Sequence, residues 1–177
     1  VNELKYIRKT SKNFTEDFLI NLLVDRGIIE DNNAFQKKFF SPTTENLIDP
    51  KNLDHMEEGY QLLMKHLTAG SKIYLCVDSD VDGFTSSAIF YNYLTEHLSN
   101  KYNFTIEYHV PEGKEHGLRT LMPLFTEEKK WDLIVLPDSS SNDYEEHKEL
   151  KEMGYDILVL DHHDAEKYSE NAVVINN

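Results

Sequence analysis

The sequence predicts an α/β fold, a mainly parallel β-sheet flanked by helices on both faces and preceded by an N-terminal helical portion. Three observations carry that reading. From Lys72 onward, strand-like apolar runs alternate with helical patterns, the order of a sheet built from βα units. Three of those runs, at residues 73–77, 131–137 and 155–160, are almost continuously apolar, as strands covered on both faces must be. Before residue 70 the apolar positions recur at helical spacing instead.

Taken in order, Thr15 can cap a first helix whose apolar face holds Phe18, Leu19, Leu22 and Leu23, with Gly27 beyond its end. Asn33 can cap a short second helix carrying Phe35, Phe39 and Phe40, which Ser41-Pro42 stops. Asn52 begins a longer helix in which Met56, Tyr60, Leu63 and Leu67 share a face, and Gly70 ends it. These stripes are expected to be core. A strand at 72–78 then leads to a helix at 84–98, with Ala88, Ile89, Tyr93 and Leu94 as its buried candidates. Phe104, Ile106, Tyr108 and Val110 alternate along the next strand, and Pro111 closes it. A short helix near 119–128, a strand at 131–137, a helix at 142–153 and strands at 155–160 and 172–176 complete the pattern. Residues 1–70 are therefore read as a helical portion packed on an α/β core at 71–177.

Composition narrows the class. A chain of 177 residues, 40% hydrophobic and 28% charged, can bury a proper core. No apolar run approaches the ~20 residues that cross a membrane, so no membrane role is expected. Residues 1–12 are polar and basic without an apolar stretch, unlike a secretory signal. Cys76 stands alone, which excludes an internal disulfide and suits a reducing cytoplasm. The net charge of −14 argues against a free-standing, non-specific nucleic-acid binder. It leaves a nuclease site open, because bound cations invert the field of a carboxylate cluster and can receive phosphate. The one local basic run, Lys5, Arg8, Lys9 and Lys12, reads as a solvated terminus.

Chemistry concentrates at the strand ends. The first apolar strand runs straight into Asp78, Asp80 and Asp82, every second residue, and in an extended chain such residues point the same way. Three carboxylates held close repel one another unless a cation sits among them, so a divalent-metal site is favoured over a solvated acidic turn. The run at 131–137 ends at Asp138, and that at 155–160 ends at Asp161-His162-His163. In an open parallel sheet ligands bind beyond the carboxyl ends of the strands, where all three groups lie.

These residues resemble a known family. Asp78-Ser79-Asp80-Val81-Asp82-Gly83-Phe84-Thr85-Ser86 is similar to the first motif of the DHH phosphoesterases, and Asp161-His162-His163 is the triplet that names them. The match is closest to the RecJ branch of single-strand-specific 5′ exonucleases. Arg26-Gly27-Ile28, Asp49-Pro50, Pro111, Gly117-Leu118 and residues 172–176 resemble its features in the right order. The resemblance implies one or two Mn²⁺ or Mg²⁺ ions, two in the complete enzyme, held by Asp80, Asp82, Asp138 and His162, with Asp78 a further ligand or support. It implies that His163 contacts the scissile phosphate or acts as general acid, and that Asp161 orients the imidazoles. The implied substrate of the complete protein is single-stranded DNA.

The chain departs from the pattern at four places. Cys76 stands where many RecJ sequences have histidine; Ser140 follows Asp138 where a glycine is usual; His116, a possible substrate contact, replaces an aromatic residue. A further metal-ligating aspartate and the phosphate-binding C-terminal domain are absent from this chain, which reads as the first domain of a longer protein and is expected to be folded but catalytically weak by itself. Three other readings stand beside this one. They are a short-oligonucleotide or cyclic-dinucleotide phosphodiesterase, a non-catalytic scaffold of the same fold, and a haloacid-dehalogenase-type phosphatase using Asp80 as nucleophile.

Overall fold

The computed structural model describes residues 16–177 apart from Glu112, residues 114–116 and Glu127, so Thr15 and His116 lie outside the described residues. The chain forms two compact units, Val1–Ile48 and Asp49–Asn177.

The first unit contains α1 (Glu16–Asp25) and α2 (Asn33–Phe40). Gly27, at φ 71°, ends the first helical stretch, and the Ile28 amide returns to the Leu23 carbonyl at 2.9 Å. The cap of α2 is Asn32, one residue earlier than the sequence suggests: its side chain accepts from the Phe35 amide at 2.7 Å. The expectation that the aromatic stripe is core fails here, since Phe39 and Phe40 are 46% and 43% exposed, and Leu19 is also exposed. Helical spacing shows that apolar residues share a face, not that the face is covered.

The second unit begins before α3 (Met56–Ala69), so this helix, grouped by sequence with the N-terminal portion, packs on the sheet itself. Its inner face presents Gly59, His66 and Leu67, and Tyr60 points to solvent. The sheet comprises β1 (Lys72–Cys76), β2 (Thr105–His109), β3 (Leu133–Pro137), β4 (Asp156–Asp161) and β5 (Val173–Asn176), in the order β2-β1-β3-β4-β5. Every pair is parallel. Alternate residues feed two cores. Tyr74, Ile134, Leu136, Ile157 and Val159 pack with Leu118, Phe125, Trp131, Leu150 and Tyr155 on one face. Ile73, Leu75, Leu133, Val135 and Leu158 pack with Leu67 and Leu94 on the other. Cys76 belongs to the first core, 2% exposed, where burial pushes its thiol far above the usual range, so it is a packed strand residue.

Helix α4 (Val81–Asn92) starts earlier than predicted and continues as a π-helical segment, Tyr93–Leu98. Its inner residues are Gly83, Ser87 and Leu94, with Phe90 and Tyr91 partly covered. Ala88, Ile89 and Tyr93, predicted as buried, are exposed, Ile89 by 71%. The cause is phase: the helix is set by the contact of Gly83 with Asp78, which turns the face three and four residues on toward the sheet. Edge strand β2 leaves Tyr108 and Val110 exposed, and with Phe84 and Tyr91 they line a groove of about 220 Å³. The helix expected near 119–128 is only a 3₁₀ turn, Met122–Leu124, with Pro123 inside it. Among the described residues no helix is long and apolar enough to cross a membrane.

At the amino end of β4, Asp156 receives Lys65 Nζ at 2.6 Å, Lys151 Nζ at 2.8 Å and His66 Nε2 at 3.0 Å. Burial opposes its charge, but the bonds from Lys151, Lys65 and His66 outweigh that and hold its carboxyl well below the usual range. Burial lowers His66 despite the same contact, which favours, at pH 7, a neutral imidazole donating Nε2–H over an ion pair. A depressed carboxylate stabilises the fold above its unfolded pKa of about 4 and loses that contribution as pH falls through the folded value. Asp156→Asn should therefore cost about 1–3 kcal/mol at pH 7. In urea melts the gap to the unaltered chain should narrow below about pH 4.

Candidate metal centre

The strand order reverses between β1 and β3: β2 lies to one side of β1, and β3, β4 and β5 to the other. That switch point leaves a crevice at the carboxyl edge, and the acidic strand ends open into it.

Beyond β1, Asp78 is 2% exposed. Asp80 is the N-cap of α4, its Oδ1 accepting the Gly83 amide at 3.0 Å. Gly83 is needed there, because a Cβ would stand 2.6 Å from Asp78 Cβ and 2.7 Å from the Asp78 carbonyl oxygen. The chain therefore leaves its extended course at Val81, and Asp82 falls in the first turn of the helix.

Asp138 follows β3 in the left-handed region, φ 65°, and its amide donates to the Leu160 carbonyl at 2.7 Å. The side chain is buried. Oδ1 lies 3.0 Å from His162 Nε2, and Oδ2 has no hydrogen-bond partner. Burial raises its pKa, Asp82 and Asp80 add to the rise, and the two histidines only offset it. A buried acceptor without a donor, pressed by two other carboxylates, is what a cation would relieve; the oxygen and imidazole donors here fit a divalent metal.

Asp161, at the end of β4, organises the triplet. Its Oδ1 accepts the His162 amide at 2.8 Å, the His163 amide at 3.2 Å and His163 Nδ1 at 2.8 Å; its Oδ2 accepts the Ser141 amide at 3.0 Å. Burial works against its charge, yet the bonds from Ser141, His163 and His162 prevail and hold the carboxyl at about 2. The same bond from Asp161 raises His163 above the usual histidine value. Since Nδ1 faces Asp161, the Nε2 of His163 is the atom left for other work.

Two groupings result. One ligand atom each of Asp78, Asp80 and Asp138 lie within 4.8 Å of one another, as do atoms of Asp138, His162 and His163. Asp138 belongs to both. Asp82 belongs to neither, but its Oδ2 is 3.7 Å from His162 Nε2. A cleft of about 380 Å³ adjoins them, lined by Gly117, residues 138–143, Asp161 and His163. Asn176, which closes the run at 172–176 that resembles the family but was given no site role from the sequence, donates its amide to Ser141 Oγ and to the His163 carbonyl, both at 2.8 Å, tying β5 to the triplet. Its signals were that run and its place at a strand's carboxyl end.

A model of the DHH family, N-terminal domain, matches residues 72–177. A prophage protein of Bacillus subtilis (strain 168), whose name assigns it provisionally as the single-strand DNA-specific exonuclease YorK, is 37% identical over 99% of this chain and 28% of its own length. The single-stranded-DNA-specific exonuclease RecJ of the same organism is 26% identical over 81% of this chain and 18% of its own. The chain thus spans less than a third of these relatives. Among solved structures, RecJ of Thermus thermophilus in complex with Mn²⁺ superposes with a TM-score of 0.60 at 23% identity, covering 87% of this chain and 20% of that one. An exonuclease RecJ bound to manganese gives a TM-score of 0.60 at 26% identity, covering 73% and 33%.

Proposed function

The chain belongs to the DHH family, and from that premise we propose that it is the metal-binding part of a RecJ-like, single-stranded-DNA-specific 5′–3′ exonuclease acting in the cytoplasm. The observation that supports this best is Asp138, shared by two ligand groupings, with one oxygen buried and unpartnered. Asp78, Asp80 and Asp138 would hold one Mn²⁺ or Mg²⁺, and Asp138, His162 and Asp82 a second, with Asp138 between them. When bound, such a pair supplies an activated water and charge neutralisation for in-line phosphodiester hydrolysis.

The chain's own residues do the rest. Asp161 orients His163 through Nδ1 and favours its protonated form, so that Nε2–H can contact the scissile phosphate or donate to the leaving oxygen. His116 remains a proposed substrate contact. With a net charge of −14, this chain has little to hold a polyanion, and the basic grip would come from a further, C-terminal domain of the complete protein. We place the domain's core at residues 71–177 and the helical portion before it.

A 5′-labelled single-stranded oligonucleotide in Mn²⁺ tests this. The complete protein should release mononucleotides from the 5′ end, with this chain alone slower by orders of magnitude. Cleavage confined to dinucleotides would move the protein to the short-oligonucleotide branch, and absence of both cleavage and Mn²⁺ binding would make it a scaffold.

A further inference from the structure

The turn that aims Asp138 is held from outside. Ser140, at the place where the family pattern has glycine, adopts φ 83°, a left-handed backbone that glycine takes most readily. A non-glycine residue in that conformation is strained and persists where its surroundings fix it. Asp143 supplies the fixing: its Oδ2 accepts the Ser140 hydroxyl at 2.6 Å and the Leu118 amide at 2.8 Å. Next to Leu118, Gly117 stands at φ +73°, and a Cβ there would collide with Asp143 Oδ2.

Asp143 is also the N-cap residue of α5 (Tyr144–Glu152), yet its side chain makes no cap hydrogen bond. An aspartate at that position ordinarily accepts a first-turn amide, worth about 1 kcal/mol. Here the carboxylate turns from the helix to the two loops. His147, fully buried, has Nε2 3.3 Å from Ser140 Oγ, and burial lowers its pKa to about 4. The Ser140 proton points to Asp143, so His147 donates Nε2–H and its Nδ1 stays buried without a partner. With the hydroxyl aimed at a carboxylate and the imidazole on the donor side, the trio does not form a nucleophile relay.

On the reading of the site given above, we propose that Asp143 is a positioning residue, clamping the Gly117-Leu118 turn onto the β3–α5 loop and so holding Asp138 in the centre. Two measurements on the 177-residue chain test it: hydrogen exchange at the Leu118 amide without metal, and Mn²⁺ calorimetry well below the melting midpoint. Asp143→Ala should lose protection at Leu118 and weaken Mn²⁺ binding about tenfold or more. Asp143→Asn, whose amide oxygen can accept both bonds, should restore most of each. Gly117→Ala, whose added Cβ meets Asp143 first, should reproduce the alanine phenotype by forcing the turn away. Wild-type affinity in Asp143→Ala, or no rescue by Asp143→Asn, would overturn the clamp. Should the unaltered chain bind no Mn²⁺, the metal reading fails, and Leu118 exchange decides the clamp: protection lost in Asp143→Ala supports it, and protection kept overturns it.

Discussion

Asp138→Asn is expected to weaken Mn²⁺ binding more than about 100-fold, beyond the 10–100-fold typical of residues that merely support ligands. The metal-free fold should become no less stable. Asparagine keeps the shape, tolerates the left-handed backbone at φ 65°, and removes a carboxylate that is buried beside Asp80 and Asp82. The amide NH2 can donate to the neighbouring carboxylates of Asp78 and Asp80, and such a hydrogen bond is worth about 1 kcal/mol. Calorimetry and urea denaturation of one variant therefore move in opposite directions. A structural aspartate would lose stability and leave metal affinity unchanged.

The second large effect separates the adjacent histidines. In the complete protein, His163→Ala should retain Mn²⁺ while hydrolysis falls by about 10²–10⁴, the range for a general acid. His162→Ala should lose both, since its Nε2 lies 3.0 Å from Asp138 and 3.7 Å from Asp82. The pH profile carries a sign. Asp161 raises the His163 pKa, so the acid form persists above the ordinary 6.5, and turnover should fall as pH rises through the raised value. Equal metal loss in both variants would merge their roles.

How far the sequence could be read depended on which physical rule applied at each residue. The buried strands were legible because β3 is covered on both faces and so is apolar throughout. The family resemblance, read from the aspartate-rich motif and the triplet, is upheld by the family match over residues 72–177. Asp82 shows where pattern stopped working. Alternation places side chains only while the chain is extended, and the Asp80 cap begins a helix at Val81. The buried face of α4 was misread for a related reason, since its phase comes from a backbone contact at Gly83 that no periodicity records. Ser140 is a lost glycine in the sequence, and its left-handed backbone is bonded through Asp143, 25 residues along the chain from Leu118. A contact at that separation leaves no local signature.

On the function proposed above, Asp138 joins two cation sites at the switch point of the sheet. Crystals of the chain soaked in Mn²⁺ and measured at the manganese absorption edge test it most directly. The account predicts anomalous peaks at the carboxyl edge, one beside Asp78 and Asp80 and one beside His162, about 3.5–4 Å apart when both are filled, with Asp138 touching each. Peaks that avoid Asp138, or none at Mn²⁺ concentrations that saturate binding in solution, would contradict it.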